Sequence, residues 1–371
     1  MAELTHTTDT IHTTQISFID LSANENPLGP SPKALRAIEQ SLSGLHRYPE
    51  KDGDPLRDAL AQQHGLNREQ LLLGNGATEL LEFAARACLS HHADEPAEAL
   101  IATPCFIPYQ KVIQRAGGTL VSIPCALGVD PLDALLAAVT GRTRLIILGT
   151  PNNPTGSMIK QTSLERFVAA LPKQVLLVLD EAYIEYIDHP ECADSLRLLA
   201  QGHNLLLLRS LSKAYGLAGL RIGYALGTTA LIDQLNGQRQ HYNTNTLAQA
   251  AALAAIADQD HLSATLANNR LGRDYLGRSF RALGLNFLPS QANFFLLEVG
   301  DGDAWVQGLA QQGIRVKPMD RYRLPQHIRI SIGLPHQNQA LVAALQQLLH
   351  TRAEAQRNQP CSQLRIQQST Q

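Results

Sequence analysis

Short apolar runs alternate with helix-like segments through the middle of the chain. The apolar runs show little alternation of polar and apolar positions and predict buried strands at residues 100–103, 119–123, 145–148, 175–179, 205–208 and 222–226. Apolar residues three or four positions apart predict helices at residues 78–89, 109–116, 132–139 and 163–171. Strands buried on both faces that alternate with helices are typical of an α/β fold with a mainly parallel sheet.

A different pattern follows towards the C-terminus. An Ala- and Leu-rich stretch at residues 248–283 predicts one long helix or two. Short strands are predicted at residues 294–299, 315–316 and 327–332, and a closing helix at residues 337–349. This α+β pattern predicts a second, smaller domain. We therefore expect a disordered N-terminal arm at residues 1–16, a linker or part of the small domain at 17–45 and a large domain at 46–240. A small domain at 241–350 and a disordered tail at 351–371 follow.

Composition and charge narrow the class of protein. The chain has 371 residues, of which 44% are hydrophobic and 17% charged, as in ordinary globular proteins. A net charge of −2 argues against nucleic-acid or membrane partners, and no apolar run is long enough to span a bilayer. Five sparse cysteines match neither a metal pattern nor a disulfide framework, and residues 1–15 lack the features of a secretory signal. We therefore expect a cytoplasmic protein without a metal site.

The strongest chemical pattern is a lysine that follows the apolar run at residues 205–208. Desolvation beside a buried strand end disfavours the ammonium form of Lys213, and a neutral amine can form a Schiff base with an aldehyde. Ser210, Ser212 and Arg221 are the donors that a nearby phosphate requires. Together they indicate pyridoxal 5′-phosphate, although an exposed lysine before a glycine-bearing loop is the alternative for this segment alone.

Two further groups follow predicted strands. Ligands in parallel sheets bind at the carboxyl ends of the strands, where Asp180 and the loop at residues 152–156 also lie. The Asp180 carboxylate can keep the cofactor's ring nitrogen protonated, and Asn153 and Tyr183 can donate hydrogen bonds to its phenolic oxygen. The glycine turn at residues 74–79 opens a helix whose first N–H groups suit a phosphate. Each group alone is also explained by capping or turn chemistry.

Seven ordered segments across residues 18–350 resemble histidinol-phosphate aminotransferases, a branch of the fold-type I pyridoxal-phosphate enzymes. They read SANENPLG, RYP, GNGATE, PNNPTG, DEAYIE, SLSKAYGLAGLRIG and HIRISIG, at residues 22–29, 47–49, 74–79, 151–156, 180–185, 210–223 and 327–333. The resemblance implies a large domain with a seven-stranded, mainly parallel sheet and a smaller α+β domain. It also implies transamination between glutamate or 2-oxoglutarate and histidinol phosphate, and hence a role in histidine biosynthesis.

The resemblance assigns roles residue by residue. Lys213, Asp180 and Tyr183 would be catalytic, with Lys213 holding the cofactor and moving the proton. The cofactor would be bound by Ala77, Thr78, Phe106, Asn153, Asp180, Tyr183, Ser210, Ser212, Lys213 and Arg221. Tyr48 would reach the cofactor phosphate of a neighbouring subunit, which implies a homodimer with a shared active site. Substrate would be bound by Arg329, Asn24 and Lys317.

Three features depart from the family pattern. Residues 1–21 contain none of the Pro and Tyr usual before the Asn-Glu-Asn-Pro motif, Lys317 stands where arginine is frequent, and His241 and Tyr242 replace Pro-Phe. These changes leave transamination intact and bear on the choice of substrate. The alternatives are an aminotransferase for aromatic or specialised-pathway amino acids, a decarboxylase such as threonine-phosphate decarboxylase, and a non-enzymatic pyridoxal-phosphate-binding regulator.

Overall fold

The computed structural model describes residues 18–90 and 95–357. The predicted arm at residues 1–16 and the part of the predicted tail at residues 358–371 lie outside the described residues. The strands are β1 Ile19–Asp20, β2 Leu71–Gly74, β3 Glu98–Thr103, β4 Thr119–Pro124, β5 Thr143–Gly149, β6 Leu176–Asp180, β7 Leu205–Ser210, β8 Gly223–Leu226, β9 Asn286–Phe287, β10 Phe294–Glu298, β11 Ile314–Arg315, β12 Lys317–Pro318 and β13 His327–Ser331.

Helices cover both faces of the main sheet and flank a smaller one. They are α1 Pro32–Ser41, α2 Asp54–His64, α3 Ala77–Leu89, α4 Pro108–Arg115, α5 Leu132–Ala137, α6 Gln161–Ala170, α7 Ser195–Ala200, α8 Thr229–Asn236, α9 Thr246–Ile256, α10 Gln259–Ala282, α11 Gly302–Gln311 and α12 Pro335–Arg357. Within the described residues, none of these helices combines the length and the apolar character that a membrane crossing needs.

The large sheet has seven strands in the order β2-β8-β7-β6-β5-β3-β4. Strand β8 is antiparallel to both of its neighbours, and the other pairs are parallel. Successive residues of β6 enter different apolar clusters: Leu177 and Leu179 pack on one face, and Val178 packs on the other. Burial on both faces explains why these strands read as continuous apolar runs. The predicted α/β class and seven-stranded sheet are confirmed.

The C-terminal part contains a four-stranded antiparallel sheet in the order β12-β13-β10-β9. Strands β1 and β11 form a separate parallel pair. Helix α10 joins the two parts of the protein, because Leu266 packs against the large-sheet core while Leu276 and Phe280 belong to the core of the small sheet. Helix α9 packs Ala248 into the large-sheet core, although it follows the boundary expected at residues 240 and 241, which stays a prediction.

Several sequence predictions need correction. Residues 351–357 of the expected disordered tail belong to α12 and are helical. The segment expected as a linker or part of the small domain at residues 17–45 contains the ten-residue helix α1, which begins at a Ser31 cap, and its domain assignment stays a prediction. The strand expected at residues 315–316 is two strands, because β11 pairs with β1 whereas β12 pairs with β13. Strand β2 was not predicted, since its apolar run at residues 71–73 is one residue shorter than the shortest run from which a strand of the large sheet was predicted.

Candidate active site

A cavity of about 380 Å³ opens where β5, β6 and β7 end, facing the small sheet. Its walls are formed by Ser22, Ala23, Asn24, Ala77, Thr78, Leu81, Phe106, Tyr109, Pro151, Asn153, Asp180, Ala182, Tyr183, Ser210, Ser212, Lys213, Ala218, Arg221, Lys317, Tyr322 and Arg329. Every site residue expected from the sequence is therefore in this wall, with the exception of Tyr48. Their individual roles stay predictions.

Lys213 lies in the loop between β7 and β8. Its Nζ donates a hydrogen bond to the carbonyl oxygen of Ala23 at 3.0 Å and lies 5.8 Å from the centre of the Tyr183 ring. Burial and the nearby positive charge of Arg329 lower the pKa of Lys213 to about 8. The lower pKa increases the share of this amine that is neutral near pH 7. The lysine is thus prepared for Schiff-base chemistry before any aldehyde binds.

Asp180 ends β6 and is 7% exposed. Its Oδ1 accepts a hydrogen bond from the Ala182 N–H at 3.2 Å, and its Oδ2 accepts one from the Tyr109 hydroxyl at 2.9 Å. Burial raises the pKa of Asp180 to about 6, and these hydrogen bonds oppose the rise. A protonated ring nitrogen placed beside this carboxylate would favour its ionised form further.

The start of α3 forms a cradle for a phosphate. The first N–H groups of a helix have no partner within the helix, and here they belong to Ala77 and Thr78. Arg221 donates to Ser212 Oγ at 3.4 Å beside this helix start. A Cβ atom on Gly76 would lie only 2.5 Å from Arg221 Nη2, so glycine is what allows the guanidinium to approach. These donors, with Asp180 and Lys213 in the same cavity, fit pyridoxal 5′-phosphate.

A hydrogen-bond network connects the first strand segment with the substrate side of the cavity. Buried Asn24 donates from Nδ2 to the Tyr183 hydroxyl at 3.0 Å. Arg329 donates to Asn153 Oδ1 at 2.7 Å and to the Ser22 carbonyl oxygen at 2.8 Å. Arg329 Nε is buried and has no hydrogen-bond partner within residues 18–90 and 95–357.

Lys317 stands directly opposite Arg329 in the pairing of β12 with β13. Directly opposite residues of an antiparallel pair point to the same face, and both side chains line the cavity. Two like charges at this position are unfavourable unless an anion lies between or beside them. The pair therefore indicates an anionic substrate.

Tyr48 lies outside the cavity of its own subunit. Its side chain is 82% exposed and stacks on Tyr242, with ring centres 4.7 Å apart and planes 18° from parallel. Tyr242 has a left-handed backbone conformation with φ of 61°. The structure thus places these two aromatic rings on the surface.

The sequence analysis missed several wall residues. The missed residues include Tyr109 and Tyr322, whose hydroxyl groups can form hydrogen bonds in the cavity wall. They also include Ala23, which contributes only its backbone oxygen. Tyr109 is the second residue of α4 and lies three positions after Phe106, which precedes the helix and accepts a backbone hydrogen bond from the Tyr109 N–H at 3.1 Å. Tyr322 lies in a short 3₁₀ helix, Asp320–Tyr322, that has no periodic pattern to reveal its direction.

Comparisons with known proteins agree with this geometry. The sequence profile described as aminotransferase class I and II matches residues 16–345. The chain is 42% identical over 334 residues to histidinol-phosphate aminotransferase 2 of Pseudomonas fluorescens strain Pf0-1, covering 90% of this chain and 89% of that protein. It is 41% identical over 335 residues to histidinol-phosphate aminotransferase of Methylobacillus flagellatus, covering 90% of each. The solved structure of histidinol-phosphate aminotransferase from Sinorhizobium meliloti in complex with pyridoxal-5′-phosphate superposes with a TM-score of 0.80, at 31% identity, over 90% of this chain and 91% of that one.

Proposed function

Because the chain belongs to the class I and II aminotransferases, we propose that it moves an amino group between glutamate or 2-oxoglutarate and histidinol phosphate or a close relative. The protein is a pyridoxal-phosphate-dependent transaminase. One observation carries the choice of substrate class: Lys317 and Arg329 face the cavity that also holds the lysine and the phosphate cradle. Relatives named for histidinol phosphate, at 41% and 42% identity, support the same substrate.

The chain's own residues divide the work. Pyridoxal phosphate supplies an electron sink that stabilises the charge left when a proton leaves the substrate carbon. Asp180 would hold the ring nitrogen protonated, while Asn153 and Tyr183 would donate hydrogen bonds to the phenolic oxygen. Lys213 would take the proton from the substrate carbon and return it to the cofactor carbon that forms the imine. Arg329 binds the substrate carboxylate through its planar donor fork.

The two substrates must share one anion site in turn. Glutamate presents carboxylates, and histidinol phosphate presents a phosphate together with an imidazole ring. A guanidinium grips a carboxylate with two parallel hydrogen bonds, whereas an ammonium acts as a point charge that tolerates either anion. Lys317 beside Arg329 therefore suits a site that exchanges a carboxylate for a phosphate.

We expect the visible absorbance of the bound cofactor to change on addition of histidinol phosphate and of glutamate. Lys317→Met should raise the apparent Kd for histidinol phosphate about tenfold or more, because a charge-assisted contact is lost. Lys160→Met is the matched control, since Lys160 is exposed and lies outside this cavity. The measurement is a spectral titration with histidinol phosphate, phenylalanine, tyrosine and glutamate.

Two results would contradict the proposed substrate. A spectrum unchanged by histidinol phosphate at millimolar concentration but changed by an aromatic amino acid would support an aromatic aminotransferase. Release of carbon dioxide without any amino acceptor would support a decarboxylase.

The surface around α1 supports a homodimer as a second proposal. Leu35, Leu42, Leu45 and Tyr48 are between 46% and 82% exposed along one stretch of the chain. Contiguous exposed apolar side chains of this kind mark interaction sites. We propose that a second copy of the chain covers them and that each Tyr48 hydroxyl reaches the phosphate of the partner's cofactor.

Light scattering is expected to show a dimer at micromolar concentration. Tyr48→Phe should keep the dimer and raise the Kd for pyridoxal phosphate about tenfold, because a hydrogen bond to a charged group is lost. Tyr242→Phe is the control, as it retains the stacked pair. A fully active monomer would refute both parts of this proposal.

A further inference from the structure

We propose that Tyr109 is a positioning residue of the aminotransferase, which fixes Asp180 and Phe106 from behind so that both meet the cofactor ring. The inference rests on the proposed function, in which Asp180 pairs with the ring nitrogen. It assigns a role to a side chain that the sequence motifs leave out.

The first support is the hydrogen bonding of the Asp180 carboxylate. Tyr109 is 2% exposed, and its hydroxyl donates to Asp180 Oδ2 at 2.9 Å. The other oxygen accepts from the Ala182 N–H at 3.2 Å. Both oxygens are therefore held, and each keeps a lone pair for the ring nitrogen. Burial raises the pKa of Tyr109 well above its ordinary value, so its hydroxyl stays a donor at working pH.

The second support is the contact with Phe106. The rings of Phe106 and Tyr109 meet edge to face, with centres 5.6 Å apart and planes 82° from parallel. Such a contact favours one orientation of the Phe106 ring, which lines the cavity. One tyrosine thus touches both the carboxylate and the aromatic residue expected to stack on the cofactor.

The third support is the space left by Gly149, the last residue of β5. Gly149 is paired with Asp180 in the register of β5 with β6. A Cβ atom on Gly149 would lie 3.1 Å from the Tyr109 hydroxyl and 3.4 Å from Asn152 Cα. The strand beside Asp180 therefore lacks a side chain where the tyrosine hydroxyl must enter.

Loss of the Tyr109 hydroxyl is expected to change the pKa of Asp180 in a definite direction. Lys213 and Tyr183 face Asp180 from the cavity, and Glu181 follows it in the chain. Among these neighbours, the Tyr109 hydrogen bond stabilises the ionised carboxylate, so its removal raises the pKa of Asp180. As the pH is lowered, Asp180 in the variant then becomes protonated at a higher pH than in wild type. The affinity for the protonated cofactor ring falls in the same pH range.

The test compares Tyr109→Phe with wild type and with Tyr186→Phe in the full-length chain. Tyr186 is another buried tyrosine and does not line the cavity. The Kd for pyridoxal phosphate would be measured by absorbance between about pH 5.5 and pH 8.5. We expect Tyr109→Phe to bind about tenfold more weakly at pH 7, with the acid loss of affinity moved up by about one pH unit. Tyr186→Phe should follow wild type in both measurements.

A second variant tests the same contact, and a separate assay of amino-group exchange tests the proposed function. Gly149→Ala should weaken cofactor binding in the same direction, because its methyl group crowds the tyrosine hydroxyl. If Tyr109→Phe keeps the wild-type Kd and the wild-type pH dependence, the tyrosine only fills space and the inference is overturned. A wild-type protein that binds the cofactor but exchanges no amino group refutes the proposed function alone, since the binding comparison does not need turnover.

Discussion

Replacement of Lys213 by alanine is expected to lower the rate of amino-group exchange by at least about 10⁴-fold. General acid–base catalysis by a positioned group contributes up to about 10⁴-fold, and the variant also loses the covalent attachment of the cofactor. Lys317 is the only other lysine in the cavity wall, and it stands on the substrate side in β12. The rate would be measured in single-turnover experiments with preloaded cofactor.

Two control variants test whether the rate depends on the positive charge of Lys213 or on its amine. Lys213→Arg keeps a positive charge but cannot supply a neutral amine, so it should be as inactive as alanine. Lys160→Ala removes an exposed lysine that pairs with Glu191 and should retain normal exchange. Borohydride reduction should fix the cofactor covalently to Lys213 in wild type, and mass spectrometry of the digested protein should locate it there. Near-normal exchange by Lys213→Ala would refute the assignment of the catalytic lysine.

The second prediction is a large loss of stability when Arg209 is replaced. Arg209 lies on the opposite face of the large sheet from the residues expected to bind the cofactor. Arg209 Nε donates to Glu181 Oε2 at 2.9 Å, and the two residues are 8% and 1% exposed. Arg209→Met leaves the Glu181 carboxylate buried without its partner. We expect the free energy of unfolding to fall by about 3–5 kcal/mol.

A neutral histidine extends this buried pair. Arg209 Nη1 lies 3.3 Å from His64 Nδ1, and His64 Nε2 lies 3.0 Å from the Tyr224 hydroxyl. Burial and the charge of Arg209 lower the pKa of His64 to about 4. Because arginine only donates, Nδ1 must accept, and the hydrogen bonding places the His64 proton on Nε2. Arg209 is thus the centre of the network.

Urea unfolding of the cofactor-free protein measures the effect. The double variant Glu181→Leu with Arg209→Met removes both charges and should regain most of the lost stability. Arg166→Met is the matched control, because Arg166 and its partner Asp133 are 72% and 86% exposed and such pairs contribute about 1 kcal/mol or less. An Arg209→Met protein within about 1 kcal/mol of wild type would show that the buried pair does not stabilise the fold.

The sequence predicts most of the large sheet because its central strands are buried on both faces. Their apolar runs stand out from the amphipathic helices, and parallel strands bring their carboxyl ends to one edge. The sequence therefore predicts that Lys213 and Asp180 lie in one site, and both line the same cavity. Strand β2, at the edge of the sheet, has too short a run for the same argument.

Contacts between distant segments are what the sequence leaves open. The Tyr109 hydroxyl meets a carboxylate 71 positions later in the chain, and Arg329 meets an oxygen of Asn153, 176 positions earlier. Periodicity shows which face of a helix is buried, but not which atom its polar group meets there. The extension of α12 to Arg357 was missed for another reason, since polar residues in an exposed helix end resemble those of a disordered tail.

The antiparallel strand β8 has a consequence for how this enzyme class can diversify. Ser210 and Gly223 are paired where β7 and β8 meet, so one closed loop carries both Lys213 and Arg221. The spacing between the Lys213 amine and Arg221 is thereby set within a single loop. Mutations in β12, on a different sheet, can then change the preferred substrate without altering the attachment of the cofactor. New specificities can arise in this fold while the older chemistry is kept.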